Sequence, residues 1–172
     1  MTDRKRGPDA MLVAAALPAG AAIIIRDYDD PARAEKARAL SGLCAARGVV
    51  LLVGGDGELA REIGADGVHL RSDQLTGERP AARLVSASCH GAEELERAAR
   101  LGADIALLGP AFPTASHPGA PSLGPMAFRA LAAAAGLPVL ALGGVDETNA
   151  DELAGPNVTG FAAIGAFAPG GE

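Results

Sequence analysis

Residues 64–70 read GADGVHL and residues 102–109 read GADIALLG, so the same three letters precede two short apolar runs. A glycine that ends a helix and is followed at once by a strand is typical of a tight helix-to-strand loop. Repetition of that loop within one chain indicates a repeated unit of strand and helix. These two stretches therefore predict an α/β protein with parallel strands.

Short apolar runs without polar alternation continue this pattern along the chain. Such runs are typical of parallel strands that helices cover on both faces. The predicted strands are Ala21–Arg26, Val49–Val53, Gly67–Leu70, Leu84–Ser88, Ile105–Gly109, Val139–Gly143 and Gly160–Ile164. The predicted helices are Ala10–Leu17, Asp30–Arg47, Glu58–Ile63, Ala92–Leu101, Pro125–Ala135 and Thr148–Leu153.

Polar and glycine residues fall mostly after the predicted strands, as in a TIM barrel with its site at the carboxyl ends of the strands. An open doubly wound sheet also alternates, but no GxGxxG or P-loop motif follows the first run. A complete barrel needs roughly 250 residues, and this chain has 172. We therefore predict a (β/α)8 TIM barrel that lacks the first strand and much of the last helix.

The predicted organisation is a disordered N-terminus over residues 1–9 and a single barrel domain over residues 10–172. A missing strand leaves a seam of unpaired backbone, which is costly unless another segment or subunit covers it. A homo-oligomer that covers the seam is one expected solution, and a start upstream of Met1 is another.

The charge and the apolar segments of the sequence bear on whether the protein binds nucleic acid or a membrane. The chain has 15 Lys and Arg against 21 Asp and Glu, a net charge of -6, and its basic residues are scattered beyond the N-terminus. This charge pattern argues against nucleic acid as a partner. The apolar segment MLVAAALPAG at residues 11–20 is too short to span a bilayer. We expect a cytoplasmic protein without a membrane partner, in which Cys44 and Cys89 form neither a disulfide framework nor a zinc motif.

Glycines at the ends of the last two predicted strands predict a phosphate site. Gly143 and Gly144 follow one predicted strand, and Ile164 and Gly165 lie at the end of the next. Glycine lets backbone N–H groups approach an anion, and barrels frequently bind phosphate after their last two strands. Simple turn chemistry is the alternative. The loop GPAFPTASHPGAPSLG, residues 109–124, is long enough to close over a ligand.

The order of these motifs resembles the thiamine phosphate synthase and thiazole tautomerase family. GADGVHL, the serines before His90, the block GPAFPT at residues 109–114 and VLALGGV at residues 139–145 occur in the family's order. The resemblance implies a barrel enzyme that joins a pyrimidine methyl diphosphate to a thiazole phosphate with Mg²⁺ assistance. It also implies small phosphorylated molecules as substrates.

The resemblance implies roles for residues at matching positions. Arg26 stands for the arginine of a Gln-x-Arg-x-Lys run that holds diphosphate, and a guanidinium can bind two of its oxygens. His117 falls where the family has a lysine, and it carries full charge only below about pH 6.5. The implied catalytic residues are Arg26, Ser88 and His117, and the implied substrate-binding and phosphate-binding residues are Thr114, Ser116, Gly143, Gly144, Ile164 and Gly165.

The metal-binding positions of the family are altered. Its Asn-Asp pair falls on Gly54 and Gly55, and its second aspartate falls on Gln74. Asp56 and Asp73 each stand one residue away, and Mg²⁺ needs only one or two carboxylates beside phosphate and water. The resemblance therefore implies Asp56 and Asp73 as Mg²⁺ ligands, although either is also compatible with an ordinary loop carboxylate.

Three functions follow in order of preference. The first is a divergent synthase, a transferase of thiamine biosynthesis. The second is a thiazole-phosphate tautomerase, which needs only proton transfer; family members of that type carry a histidine where this chain has Pro110. The third is a non-catalytic phosphate-binding paralogue.

Overall fold

The computed structural model describes residues 1–3, 7–114, 119 and 121–164. The chain divides into two compact units. Among the described residues, the first comprises Met1–His69 and Pro80–Leu84 with Ile164, and the second comprises Leu70–Arg79 and Val85–Ala163. A single domain over residues 10–172 stays a prediction.

The first unit alternates helices and parallel strands. Strand β1 pairs with β2, and β2 pairs with β3, in parallel. Its elements are α1 (Ala10–Ala16), β1 (Ala22–Ile25), α2 (Arg33–Arg47), β2 (Val50–Gly54), α3 (Gly57–Glu62) and β3 (Gly67–Leu70).

The second unit repeats this alternation. Strands β4, β5, β6 and β7 pair in parallel in chain order. Its elements are a 3₁₀ helix (Ser72–Gln74), β4 (Leu84–Cys89), α4 (Ala92–Leu101), β5 (Ile105–Leu108), α5 (Gly124–Ala134), β6 (Val139–Leu142), a second 3₁₀ helix (Ala150–Leu153) and β7 (Val158–Ala162). The predicted α/β class with parallel strands is confirmed. Within the described ranges, no helix combines the length and apolar character that a membrane span requires.

The strands of the first unit are buried on both faces, as their unalternating sequences predict. Ile23 and Ile25 belong to one core cluster with Leu40 and Cys44 of α2. Ile24, between the two isoleucines, is also buried. Full burial of one such side chain contributes roughly 1.5–3 kcal/mol. These short strands therefore depend on apolar cover from two sides.

The repeated Gly-Ala-Asp sequence has the same structural role in both units. The Asp66 carboxylate accepts the backbone N–H of Leu51 at 2.8 Å. The Asp104 carboxylate accepts the N–H of Val85 at 2.7 Å. In each case, the aspartate binds the residue near the start of the preceding strand. The repeat predicted from the sequence is therefore also a repeat of hydrogen bonds.

Helix α2 begins three residues later than predicted. Asp30 is buried, and its carboxylate accepts the N–H of Ala32 at 2.9 Å and an ammonium N–H of Lys36 at 2.6 Å. The expected first turn is therefore an entry turn that Asp30 organises. A similar turn at Asp146 shortens the helix predicted over Thr148–Leu153 to the 3₁₀ helix, because Thr148 N–H donates to the Asp146 carboxylate at 2.8 Å.

Strand β7 begins two residues before the predicted run Gly160–Ile164. The Val139 N–H donates to the Asn157 carbonyl at 2.8 Å, so the ladder to β6 starts upstream of the glycine. The Asn157 side chain also donates to the carbonyls of Ala132 and Ala135 at the end of α5. Pairing with β6, rather than hydrophobicity, sets the start of this strand.

Two residues of the segment predicted to be disordered make defined contacts. The Thr2 N–H donates to the Ile24 carbonyl at 2.8 Å, and Thr2 Oγ1 accepts the Arg26 N–H at 2.9 Å. Asp9 caps α1 by accepting the N–H of Met11 at 2.8 Å. Thr2 and Asp9 each complete the hydrogen bonding of a neighbouring element, and disorder over residues 1–9 stays a prediction.

Candidate functional site

Arg26 follows β1 in the first unit. Its side chain is 26% exposed, and Nη2 lies 4.0 Å from an Asp3 carboxylate oxygen. Its Nε is buried without a hydrogen-bond acceptor among the described residues. A guanidinium has five N–H donors, so a long contact to Asp3 leaves it suited to bind an anion.

His69 lies on β3 and is buried. Burial lowers the pKa of its imidazole to about 3, and the positive charge of Arg26 contributes to the shift. The ring is therefore neutral at physiological pH. This environment is that of a structural histidine.

We predict that His69 makes the fold sensitive to mild acid. Below about pH 6.5 the unfolded chain binds a proton at this histidine, whereas the folded chain does not until about pH 3. Stability is therefore lost as the pH falls, by roughly 2 kcal/mol between pH 7 and pH 5. Urea unfolding at the two pH values measures this loss.

A His69→Gln variant should lose less stability over the same interval, because the substituted side chain does not titrate. His90→Gln, at an exposed position, is the matched control and should retain the wild-type loss. Equal losses in His69→Gln and wild type would contradict the prediction.

Arg33 and Tyr28 contact each other near Arg26, and neither was among the predicted site residues. The Arg33 guanidinium lies 5.3 Å from the centroid of the Tyr28 ring and donates from Nη2 to the Gly54 carbonyl. No sequence signal pointed to this role, since the predicted helix begins at Asp30. The observed α2 begins at Arg33, where the helix dipole disfavours a cation. Some other interaction must compensate for that position.

The two carboxylates predicted to bind Mg²⁺ already contact arginines. The Asp56 carboxylate accepts the Leu59 N–H at 2.9 Å as the cap of α3 and lies 3.7 Å from Arg33 Nη1. Arg71 donates to both oxygens of Asp73, at 2.9 and 2.5 Å. The hydrogen bond from Arg71 lowers the pKa of the Asp73 carboxyl. Each carboxylate therefore has a partner that a metal would have to displace.

The described residues do not fit a protein-held Mg²⁺ site. They contain no group of three His, Cys, Asp or Glu side chains that could hold a metal ion. Glycines at positions 54 and 55 supply no side-chain oxygen. The assignment of Asp56 and Asp73 as ligands stays a prediction that their present contacts do not favour.

In the second unit, glycines bring the loop after β5 against the end of β6. A Cβ on Gly143 would lie 2.8 Å from Pro110 Cα, and a Cβ on Gly144 would lie 2.6 Å from the Pro113 carbonyl oxygen. Both glycines also have positive φ, 90° and 65°. Any other residue would collide with the loop and strain the backbone.

The carbonyls at the end of β6 point toward that loop. The Leu142 carbonyl accepts the Ala111 N–H at 2.8 Å, and the Gly143 carbonyl accepts the Phe112 N–H at 3.0 Å. Because the C=O and N–H of a trans peptide point in opposite directions, the N–H groups of Gly143 and Gly144 point away from the loop. This orientation is compatible with the predicted phosphate site.

Asn149 fixes the next peptide and was not among the predicted site residues. Its side-chain nitrogen donates to the Gly144 carbonyl at 2.9 Å, and its side-chain oxygen accepts the Asp146 N–H at 3.0 Å. By the same geometry, the Val145 N–H points away from Asn149. The sequence signal for Asn149 was its position as a hydrogen-bonding side chain shortly after Gly143 and Gly144.

Two of the three hydroxyl groups predicted for the site lie in the described part of the second unit. Ser88 is half-buried near the end of β4, and Thr114 is half-buried in the loop after β5. His90 Nδ1 lies 2.9 Å from a carboxylate oxygen of Glu94 in α4. Ile164 is half-buried. The remaining predicted site residues, Ser116, His117 and Gly165, lie outside the described residues.

Comparisons with known proteins converge on one group. A family model described as thiamine monophosphate synthase matches residues 1–167. The thiamine-phosphate synthase of Chromobacterium violaceum is 39% identical over 90% of this chain and 78% of its own length. That of Roseiflexus castenholzii is 37% identical over 96% of this chain and 78% of its own length. A thiamine phosphate pyrophosphorylase structure from Pyrococcus furiosus is similar with a TM-score of 0.78 and 29% identity, covering 95% of this chain and 82% of that one.

Proposed function

The chain belongs to the thiamine monophosphate synthase family, a family of thiamine-biosynthesis transferases, and from this premise we propose how its residues carry out the reaction. The substrates are a pyrimidine methyl diphosphate and a thiazole phosphate, and the products are thiamine phosphate and pyrophosphate. The observation that carries the proposal is the match over residues 1–167, which includes Arg26 and the Gly143-Gly144 pair.

The reaction does not need a nucleophile from the protein. It needs groups that stabilise the diphosphate leaving group. The thiazole nitrogen donates its lone pair to the pyrimidine methylene, and the methylene C–O bond breaks with its electrons passing to the diphosphate. Negative charge therefore develops on the diphosphate as it departs. Preorganised donors aimed at such charge are usually the largest contribution to catalysis.

Arg26 is the main candidate for this stabilisation. Its guanidinium is only 26% exposed and lies 4.0 Å from Asp3, so its attraction for an anion is less screened than at a protein surface. The hydroxyls of Ser88, Thr114 and Ser116 and the imidazole of His117 are the proposed neutral or partly charged donors. They complete the set that the family resemblance implies.

The thiazole phosphate is proposed to bind at the backbone N–H groups of Gly143 and Gly144, with Ile164 and Gly165 contributing from the end of the last strand. Two carbonyls directed to the loop after β5 support this role, because they orient the neighbouring N–H groups away from it. Holding the phosphate fixes the thiazole nitrogen for attack, and such positioning lowers the barrier by removing translational freedom.

Mg²⁺ assistance, closure of the (β/α)8 barrel, a homo-oligomer and a cytoplasmic location remain parts of the proposal that rest on the sequence. For Mg²⁺, the contacts of Asp56 and Asp73 argue against a preformed protein site. No step of the reaction is assigned to the metal.

The contacts of Asp56 favour a role as the cap of α3 over the predicted role as a metal ligand. Asparagine caps helices about as well as aspartate, whereas alanine costs about 1 kcal/mol. Asp56→Asn should therefore keep turnover within about threefold, by that equivalence of caps, and Asp56→Ala should lower the free energy of unfolding. Thermal unfolding and steady-state kinetics measure the two effects.

Glu58→Gln, at an exposed position in the first turn of α3, is the matched control for a lost carboxylate. A large loss of turnover in Asp56→Asn that higher Mg²⁺ restores would show that Asp56 is a metal ligand after all.

Incubation of the purified chain with both substrates and Mg²⁺ tests the proposed function, and formation of thiamine phosphate is the expected result. Isomer conversion of the thiazole phosphate without Mg²⁺ or pyrimidine would instead indicate a tautomerase. Binding of thiazole phosphate with neither turnover would indicate a non-catalytic paralogue.

A further inference from the structure

Arg33 places a second partly buried guanidinium beside the carboxyl end of β2. Its side chain is 14% exposed and lies across the Tyr28 ring. Nη2 donates to the Gly54 carbonyl, which ties the group to the strand end. The arginine is therefore held in place at the same strand end that Arg26 approaches.

Neither arginine has its hydrogen bonds completed within the described residues. The Nε atoms of Arg26 and Arg33 are both buried without an acceptor there. Their carboxylate contacts are long, 4.0 Å from Arg26 to Asp3 and 3.7 Å from Arg33 to Asp56. Burying a charge with incomplete hydrogen bonding is costly, and an anion with several oxygens would recover that cost.

Gly54 explains why both side chains fit. A Cβ at this position would lie 2.9 Å from the Tyr28 hydroxyl oxygen, 3.1 Å from the Ile25 carbonyl oxygen and 3.4 Å from Arg26 Cγ. Any larger residue would displace Tyr28, on which Arg33 rests. The absence of a side chain at position 54 therefore provides the space in which the two arginines flank the strand end.

We propose that Arg33 acts with Arg26 as a two-guanidinium clamp for the diphosphate of the pyrimidine substrate. This assignment rests on the proposed function. Two forked cations match the several oxygens of a diphosphate better than point charges do. The clamp supplies positive charge at the strand end where Gly54 and Gly55 offer no side-chain ligand to a metal, so it binds diphosphate without a divalent cation.

Direct binding of inorganic pyrophosphate to the full chain tests the clamp. Isothermal titration in the presence of EDTA should detect binding by wild type. Arg33→Met should weaken it at least tenfold, about 1.4 kcal/mol, and leave thiazole phosphate affinity unchanged. Arg38→Met, which removes an exposed arginine of the same helix paired with Glu62, should bind pyrophosphate as wild type does.

Arg33→Lys keeps the positive charge but loses the bidentate guanidinium. This variant tests the clamp if Arg33→Met fails to fold. We expect about threefold or more weakening, since one ammonium replaces a bidentate group. Wild-type affinity in either folded variant, or no pyrophosphate binding by wild type in EDTA, would overturn the clamp. Turnover is measured separately: Arg33-dependent binding without thiamine phosphate formation would overturn the proposed function alone.

Discussion

Arg26→Ala is expected to lower kcat/KM for the pyrimidine diphosphate at least a hundredfold, because removal of one preorganised donor to developing charge costs about 10²–10³ in rate. The Arg26 side chain is 26% exposed, and its contact with the Asp3 carboxylate is long, at 4.0 Å. Its loss therefore removes attraction that water does not replace. Steady-state kinetics with each substrate varied in turn measure the effect.

The pattern of the loss distinguishes binding of diphosphate from general damage. The KM for thiazole phosphate should stay near the wild-type value, and the circular dichroism spectrum should be unchanged. Arg47→Ala, at an exposed position in the last turn of α2, is the matched control. Near-normal turnover by Arg26→Ala would remove the main proposed diphosphate contact.

Gly144→Ala is expected to have the second large effect, a loss of at least tenfold in affinity for thiazole phosphate. Position 144 has φ of 65°, and a Cβ there would lie 2.6 Å from the Pro113 carbonyl oxygen and 2.8 Å from Phe112 Cβ. Backbone must therefore shift on one side of the contact, and strain of this kind costs about 1–3 kcal/mol. The shift moves the N–H groups that we propose to hold the phosphate.

Titration with thiazole phosphate and thermal unfolding separate the two consequences of Gly144→Ala. Gly136→Ala is the matched control, since its Cβ would make only an ordinary contact of 3.5 Å with Ala99 Cβ. Full thiazole phosphate affinity in a folded Gly144→Ala variant would show that the phosphate binds elsewhere.

The strands of the first unit were predictable because each is short, apolar and buried on both faces. Ile23, Ile24 and Ile25 are all buried, and no alternation was needed to identify β1. Boundaries failed where a polar side chain reorganised the backbone. Asp30 turned the expected start of α2 into an entry turn, and pairing at Asn157 moved the start of β7. A hydrophobicity pattern predicts neither of these two hydrogen bonds.

The candidate site was predictable only in part. Position after a predicted strand drew attention to Arg26 in the first unit and to the Gly143-Gly144 pair in the second, because functional residues of such folds follow the strands. The role of Arg33 depends on its stacking over Tyr28 and its bond to Gly54, which no spacing in the sequence encodes. Likewise, the aspartates were visible as charges, but their arginine partners were not.

The most direct test of the central claim is ³¹P nuclear magnetic resonance of the complete reaction mixture with purified protein. We expect the diphosphate signals of the pyrimidine substrate to disappear while pyrophosphate and thiamine phosphate form in a one-to-one ratio. Persistence of the diphosphate signals, or release of pyrophosphate without thiamine phosphate, would contradict it.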